Sequence, residues 1–221
     1  MDHPVRQWRR TAVVAVVLLV LAGVLIAVAY TGGLTGEDVS ALTGAAETRT
    51  GALNTAVVVL TEIGNTAASA VLAVVVGGVL WWRGRRGDAV YLIATMATAS
   101  LVFTIIKRIL DRPRPPADLR VIEASNESLP SGHATMSAVV LASIVIVFWP
   151  QLAALGRTVL TAVAVLWPAA IGATRIYLGV HWFSDVLAGW ALGLGWAFLG
   201  AAILFRWRAR TPAAPESAAA P

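Results

Sequence analysis

Six long runs of apolar residues, separated by charged or glycine-rich segments, dominate the pattern of the chain. Each run has about 17 to 22 residues, which at a rise of 1.5 Å per residue is enough for a helix to cross a hydrocarbon core of roughly 30 Å. The pattern predicts an all-α fold, a bundle of six transmembrane helices. The predicted spans are residues 11–30, 65–82, 89–106, 132–149, 158–177 and 184–205.

The composition supports a membrane location. Of 221 residues, 58% are hydrophobic and only 13% are charged, and the mean hydropathy is +0.76. These values lie well outside those of soluble globular domains, so we interpret the chain as an integral membrane protein. The chain has no cysteine, which excludes disulfides and thiolate metal sites. A metal site would need histidines or carboxylates.

Arginines cluster in alternate connections between the runs, and this alternation predicts the topology. The clusters are Arg6, Arg9 and Arg10; Arg83, Arg85 and Arg86; Arg157; and Arg206, Arg208 and Arg210. Positively charged loops favour the cytoplasmic side, so both termini are expected there, with a belt of tryptophans near the same interface. The net charge of +5 is explained by this pattern, and no nucleic-acid partner is expected because the cations are not gathered on one polar face.

The same pattern predicts the domain organisation. Residues 1–10 form a basic cytoplasmic N-terminus, residues 11–206 a single transmembrane domain, and residues 207–221 a disordered Pro/Ala-rich cytoplasmic tail. Within the domain, residues 31–64 form an outer loop, in which residues 37–60 are either an interfacial helix or an extension of the second span. We expect the first span to be an anchor, since it is longer than the apolar region of a signal peptide, although Ala27-Val28-Ala29 resembles a cleavage site.

Seven cations are predicted on the outer side, against the usual charge preference. They are Arg49, Lys107, Arg108, Arg112, Arg114, Arg120 and Arg175. A cation at the centre of a bilayer costs about 2.5 to 3.5 kcal/mol on the insertion scale, so Lys107 and Arg175, which adjoin predicted spans, need a compensating partner. An anionic ligand would provide one.

The first polar motif is TIIKRILDRPRPP, residues 104–116. The third span continues through Lys107, and Pro113 and Pro115 end the helix. Arg114 is then expected about two turns beyond Lys107 on the same side of the element, so that two cations converge. Taken alone, the motif is equally typical of a basic helix end that interacts with lipid headgroups.

The second motif is SLPSGHATMS, residues 128–137. Ser131 is a preferred N-cap residue, Gly132 lets a ligand approach the backbone, and the fourth span begins there. The free N–H groups and positive dipole of a helix start favour bound phosphate. His133 lies next to them. An ordinary capped helix would not require a histidine at this position, and we therefore favour an anion site.

The third motif is ATRIYLGVHWFSDVLAG, residues 173–189. Arg175 closes the fifth span, and His181 and Asp185 have the i,i+4 spacing that places two side chains on one helical face. A carboxylate that accepts one ring N–H fixes the histidine tautomer and increases the basicity of the other nitrogen. All three motifs lie at outer helix ends in the predicted topology. The remaining histidine, His3, lies on the other side and is interpreted as a solvated side chain.

Together these motifs resemble the three-part signature of the type 2 phosphatidic acid phosphatase family. The matching residues are Lys107, Arg114-Pro115, Pro130-Ser131-Gly132-His133, Arg175, His181 and Asp185. The one departure is Thr174, where the family usually has serine. The family includes phosphatidylglycerophosphate and undecaprenyl pyrophosphate phosphatases, and it shares its site with the vanadium haloperoxidases, which are soluble and therefore a poorer match.

The resemblance implies a role for each motif residue. Phosphoryl oxygens would be bound by Lys107, Arg114, Ser131, Gly132 and Arg175, with Thr174 as a weaker candidate. His181 would be the nucleophile that forms a phosphohistidine, Asp185 would orient it, and His133 would protonate the leaving oxygen. The family mechanism requires no metal and no cofactor.

The expected substrate is a phosphate monoester or pyrophosphate of a membrane lipid, of the undecaprenyl pyrophosphate, phosphatidate or phosphatidylglycerophosphate type. The expected location is a bacterial inner membrane, with the active site facing outward and the bilayer as surroundings; the pattern does not indicate an oligomeric state. The alternative is an anion channel or lipid transporter with a basic outer vestibule. It is disfavoured because the polar residues gather at one depth and do not continue along the spans.

Overall fold

Helices form nearly all of the regular structure in the computed structural model, which describes residues 3–211. They are α1 (His3–Tyr30), α2 (Thr35–Glu47), α3 (Gly51–Ile63), α4 (Thr66–Trp82), α5 (Arg86–Leu110), α6 (Gly132–Phe148), α7 (Ala154–Tyr177) and α8 (Phe183–Arg210). Two 3₁₀ turns, Ala117–Leu119 and Trp149–Gln151, complete the regular elements of this range. The prediction of an all-α fold is confirmed.

Six helical segments of the described residues are long and apolar enough to cross a membrane. They are Arg6–Tyr30, Gly51–Trp82, Arg86–Leu110, Gly132–Gln151, Ala154–Tyr177 and Phe183–Arg210. The six-span prediction is therefore confirmed, although the ends differ from those expected. Helix α1 already begins at His3, within the basic segment 1–10, and Pro4 lies in the first turn, where a proline is tolerated. Helix α8 continues to Arg210, so residues 207–210 are helical and were wrongly assigned to a disordered tail; residues 212–221 lie outside the described part.

The segment between α1 and α4 contains two further helices. Thr50 caps α3 by accepting a hydrogen bond from the Leu53 N–H at 3.2 Å, and Asn65 caps α4 by accepting one from the Ala68 N–H at 2.7 Å. Only Gly64 and Asn65 separate α3 from α4. A Cβ on Gly64 would collide with the side chain of Ile171 in α7, so glycine permits this close passage. Residues 51–63 thus extend the second span, whereas residues 35–47 form a separate helix.

Helices α6 and α8 form the centre of the bundle. In the most apolar window of α6, 61% of residues are buried, compared with 17% in α1. Gly189 and Gly193 let α8 approach α6, because a Cβ on Gly193 would lie 2.5 Å from the Thr135 carbonyl oxygen. Close packing at small residues is the usual means of association between membrane helices, where lipid offers no hydrophobic gain. The outward-facing valines of α1 and α4 are exposed, as expected for side chains in contact with lipid.

The predicted arginine clusters meet at one end of the bundle. The Arg206 guanidinium lies 5.4 Å from the ring centre of Trp8, which brings α8 and α1 together. Arg85 and Arg208 both pair with Asp88 at 2.8 Å. The three polar motifs lie at the opposite helix ends. Assigning the arginine end to the cytoplasm follows from charge preference alone.

The close contact between α6 and α8 leads to a stability prediction. Gly193→Leu should lower the unfolding midpoint in detergent, because an enlarged side chain in a tightly packed contact costs about 1 to 3 kcal/mol. Gly78→Leu is the matched control, since a Cβ there has nothing within 4 Å. Equal midpoints for the two variants would contradict the packing described here.

Candidate active site

The residues of the three motifs converge at the end of the bundle opposite the arginine clusters. Lys107 lies in the last turn of α5, Ser131 and Gly132 open α6, and Arg175 lies in the last turn of α7. His181 precedes α8 in the loop after α7. The positive charges of Arg175, Arg114 and Lys107 all act on the ring of His133. One compact region therefore contains two imidazoles and three cations.

His181 and Asp185 form the centre of this region. The Nδ1 atom of His181 lies 3.3 Å from Asp185 Oδ2, and both side chains are buried. The expectation that the two residues share one helical face is wrong, because α8 begins at Phe183. The loop reaches this position through Gly179, whose φ of +70° and contact with the Leu119 backbone require glycine. Asp185 lies in the first turn of α8 and accepts a hydrogen bond from the Trp182 N–H at 2.9 Å.

The contacts of His181 define its tautomer. Arg114 Nη1 lies 3.2 Å from His181 Nε2, and a guanidinium can only donate. The neutral form that satisfies both contacts therefore carries its proton on Nδ1 and a lone pair on Nε2. Burial lowers the pKa of His181 well below its ordinary value, although Asp185 acts in the opposite direction. The ring is thus neutral at physiological pH, the form in which one imidazole nitrogen keeps a lone pair.

Two cations of the first motif are held by backbone carbonyl groups. Lys107 Nζ donates to the Glu127 carbonyl at 2.5 Å. Arg114 lies in the loop beyond α5, which ends at Leu110, before the prolines that were expected to end it. It donates through Nε to the Asn126 carbonyl at 2.6 Å and through Nη1 to the Val180 carbonyl. Burial lowers the pKa of Arg114 to about 10, so this guanidinium stays positively charged at neutral pH.

The start of α6 differs in two respects from the expectation. Ser131 occupies the N-cap position, but its hydroxyl makes no capping bond. Gly132 faces the Phe103 ring, which a Cβ would approach to 3.2 Å, so helix packing favours glycine at this position. The first helical N–H groups lack intrahelical partners, as at any helix start. The helical hydrogen-bond ladder of α6 begins with the Thr135 N–H, which donates to the Ser131 carbonyl at 2.9 Å.

Arg175 is fixed by a residue that the sequence did not single out. Its Nη1 donates to Thr61 Oγ1 of α3 at 2.8 Å, and both side chains are buried. The Thr174 hydroxyl donates to the Ile171 carbonyl at 2.6 Å, and its Oγ1 lies 2.9 Å from Thr61 Oγ1, from which it can accept. The structure therefore directs the Thr174 hydroxyl toward α3 and its own helix. Thr174 contributes to holding Thr61 and, through it, Arg175.

Three buried polar atoms are unpartnered among the side chains of the described residues. They are Ser131 Oγ, His133 Nε2 and Arg175 Nε. Buried polar groups in native structures almost always have a partner, and an exception calls for an explanation. All three belong to the sequence motifs, and they combine one hydroxyl, one imidazole and one guanidinium. This is a donor set suited to the oxygens of a phosphoryl group.

Comparison with known proteins identifies the family. The sequence model of the PAP2 superfamily matches residues 88–209, which include all three motifs. The chain belongs to the PAP2 superfamily. The resemblance to type 2 phosphatidic acid phosphatases is thus confirmed, and the PAP2 chain is a membrane-embedded phosphatase.

Relatives of this PAP2 protein cover between about half and most of its length. Phosphatidylglycerophosphatase B of Bacillus subtilis (strain 168) is 27% identical over 179 residues, which are 80% of this chain and 87% of the relative. A lipid A 1-phosphatase of Rhizobium etli is 34% identical over 124 residues, 52% of this chain and 49% of its own length. The crystal structure of a transmembrane PAP2 type phosphatidylglycerolphosphate phosphatase from Bacillus subtilis superposes with a TM-score of 0.78 at 26% identity, covering 86% of this chain and 94% of that chain.

Several residues of the PAP2 site escaped the sequence analysis. Asp185 also contacts Arg112, at 2.5 Å, and the Ser128 hydroxyl. Arg112 in turn pairs with Asp38 of α2. From the sequence, Arg112 is recognisable only as one of several outer cations, and Ser128 only as the first residue of the second motif. For Asp38, the local sequence offers nothing that distinguishes it from its acidic neighbour Glu37.

Among the described residues, no group of three or more His, Asp or Glu side chains is arranged to hold a metal ion. The Asp185 carboxylate, which faces His181, is also engaged by Arg112. The cations that act on His133 in this PAP2 protein are Arg175, Arg114 and Lys107.

The contact of Thr61 with Arg175 leads to a binding prediction for the PAP2 site. Thr61→Val keeps the shape but leaves Arg175 Nη1 without its acceptor. Competitive inhibition by inorganic phosphate should weaken by about tenfold, since a hydrogen bond to a charged group contributes on the order of 1.4 kcal/mol. The control is Thr55→Val in the same helix, whose exposed hydroxyl bonds only to the Gly51 carbonyl. Equal inhibition constants for both variants would rule out a role of Thr61 in holding Arg175.

Proposed function

We propose that this PAP2 protein hydrolyses the phosphate monoester or diphosphate of a membrane lipid through a phosphohistidine on His181, without a metal ion. The observation that carries the proposal is the arrangement of the His181 ring. Its Nδ1 atom faces Asp185 at 3.3 Å, and its Nε2 atom, with the lone pair, faces Arg114 at 3.2 Å. The nitrogen that can attack is thus adjacent to a cation that binds phosphoryl oxygens.

In the first step, the Nε2 lone pair is released from its contact with Arg114, whose guanidinium turns to the phosphoryl oxygens, and attacks phosphorus in line with the leaving oxygen. The bond between phosphorus and the lipid oxygen breaks, and His133 supplies a proton to that oxygen. The imidazole becomes positively charged as it is phosphorylated, and the buried Asp185 carboxylate stabilises this charge. In the second step, water gives up a proton to His133 and attacks the phosphohistidine, which releases inorganic phosphate and restores His181.

Positive charge and hydrogen-bond donors would stabilise the transition state. In phosphoryl transfer, negative charge spreads over the equatorial oxygens, and fixed cations in a site shielded from water are effective there. Lys107, Arg114 and Arg175 provide the charge. The unpartnered Ser131 hydroxyl and the N–H groups at the start of α6, including that of Gly132, provide further donors. These cations take the part that Mg²⁺ plays in other phosphatases.

The lipid nature of the substrate follows from where the site lies. All of its residues are at the ends of apolar helices or in the connecting loops, so that a phosphate at the membrane surface could reach His181 while its acyl chains stay in the bilayer. We propose phosphatidylglycerophosphate as the first substrate to test, since the relative that matches 80% of this chain carries the name phosphatidylglycerophosphatase B. Phosphatidate and undecaprenyl pyrophosphate belong to the same chemical class.

The site is proposed to face outward from a bacterial inner membrane. The support is the distribution of arginines, which gather at the other end of the bundle and favour the cytoplasmic side. An anion channel or lipid transporter is the alternative function. It is not supported by the family assignment, because the relatives are named as phosphatases.

The phosphohistidine can be tested directly. Unaltered protein mixed with phosphate-labelled lipid and quenched in alkali, in which phosphohistidine survives, should retain label on residue 181. The panel is phosphatidylglycerophosphate, phosphatidate and undecaprenyl pyrophosphate. His181→Ala should retain no label and lose activity by on the order of a thousandfold or more, whereas the control His3→Ala should behave as the unaltered protein. Turnover by His181→Ala, or no turnover of any lipid by the unaltered protein, would contradict the proposal.

The acid role of His133 predicts a dependence on the leaving group. His133→Ala should greatly slow the hydrolysis of a lipid phosphate, whose alkoxide is a poor leaving group, by roughly 10² to 10⁴-fold. It should slow p-nitrophenyl phosphate much less, because nitrophenolate departs without a proton. Steady-state rates with the two substrates provide the test. An equal loss with both substrates would assign His133 to phosphate binding and not to proton transfer.

A further inference from the structure

Asp38 is a buried acid in a helix that lies outside the matched family region. Helix α2 covers residues 35–47, whereas the family match begins at residue 88. The Asp38 side chain is only 2% exposed, and a carboxylate without partners in such a position would be strongly destabilising. The buried Asp38 carboxylate therefore needs hydrogen-bond and ion-pair partners among the surrounding groups.

Asp38 is satisfied by two residues close to the active site. Its Oδ1 accepts from the Ser184 N–H at 2.7 Å, and its Oδ2 accepts from the Ser184 hydroxyl at 2.7 Å. Arg112 Nη2 pairs with Oδ2 at 2.8 Å. Ser184 immediately precedes Asp185 in the first turn of α8. Asp38 therefore links α2 to Ser184, which is next to Asp185 in the chain, and to Arg112, which contacts Asp185.

Arg112 lies between two carboxylates. Its Nη2 faces Asp38 at 2.8 Å and its Nη1 faces Asp185 at 2.5 Å. Nη1 also donates to the Ser184 hydroxyl at 2.9 Å, and the guanidinium lies 5.9 Å from the ring centre of Trp182. A planar guanidinium held on both of its terminal nitrogens has one orientation. That orientation determines which oxygen of Asp185 is left for His181.

Each oxygen of the Asp185 carboxylate has its own hydrogen-bond partners. Oδ1 is taken by Arg112, while Oδ2 faces His181 Nδ1 at 3.3 Å and accepts from the Trp182 N–H at 2.9 Å and from the Ser128 hydroxyl. If Arg112 had no second carboxylate, its full charge would act on Asp185 and would compete with the positive charge that forms on His181 during the reaction. With Asp38 present, the Arg112 charge is shared.

We propose that Asp38 is a positioning residue for the reaction, acting through Arg112 on Asp185. The inference rests on the proposed function, in which Asp185 orients His181. Asp38 fixes the orientation of the Arg112 guanidinium and balances part of its charge. Asp185 therefore keeps its orientation, and its negative charge remains available to the His181 ring. The outer helix α2 is then a functional part of the site, although it contributes no residue that touches the substrate.

The test compares Asp38→Asn in two backgrounds, using the lipid phosphate of the panel that the unaltered protein hydrolyses fastest. In the otherwise unaltered protein, kcat should fall by about tenfold to a hundredfold, and KM should change by less than about threefold. In protein that already carries Asp185→Asn, the same change should cost less than about threefold, because residues that act through one another are not additive. The control is Glu37→Gln, which removes an exposed neighbouring carboxylate from the same helix.

Two results would overturn the positioning role. One is a kcat for Asp38→Asn within about twofold of the unaltered protein. The other is an equal loss in both backgrounds, which indicates a general structural effect. If instead Asp185→Asn alone leaves kcat unchanged, the proposed function fails and the positioning role fails with it.

A second variant covers the case in which Asp38→Asn does not fold, as judged by its unfolding midpoint. Arg112→Lys keeps a cation beside Asp185 but cannot bridge two carboxylates with a planar fork. The same loss of kcat at similar KM is expected, again confined to the background with Asp185 intact. Full activity of Arg112→Lys would overturn the proposal.

Discussion

The site depends on keeping an ionised carboxylate buried at the end of a membrane helix. Asp185 is fully buried, and the transfer of an isolated carboxylate into such surroundings costs far more than a domain can tolerate. Its charge is balanced by Arg112 at 2.5 Å, and its second oxygen accepts from the Trp182 N–H and faces His181. Breaking a buried pair by removing one partner is strongly destabilising, so these groups constrain each other. The orientation of the His181 ring is one result of this constraint.

The same principle explains how the other cations are retained. Lys107 donates to the Glu127 carbonyl, and Arg175 donates to the Thr61 hydroxyl. Neutral acceptors satisfy hydrogen bonds without cancelling charge, which leaves a net positive field around His181. A phosphoryl group that carries two negative charges would complement that field. The site is thus held together in part by contacts that leave its charge available to a ligand.

The spans could be predicted because apolar length is a local property of the sequence, and the arginine clusters met at one end as their alternation indicated. The three motifs indicated which residues carry the chemistry, but local spacing could not place His181. Its i,i+4 relation to Asp185 is typical of a helix, yet Trp182 occupies the N-cap position and the turn at Gly179 precedes it. Residues 35–63 were ambiguous because they are mixed in composition. The contact between Asp38 and Arg112 spans 74 positions of the chain, and such pairs follow from tertiary packing alone.

The central claim is that the Nε2 atom of His181 can reach phosphorus while the surrounding cations bind the phosphoryl oxygens. A structure of the protein with orthovanadate, which adopts the geometry of the transition state, tests this claim most directly. The account predicts vanadium within covalent-bond distance of His181 Nε2, with its oxygens in contact with Arg114, Arg175 and the Ser131 hydroxyl. Vanadate bound at a site away from these residues, or bound among them with another side chain bonded to vanadium, would contradict it.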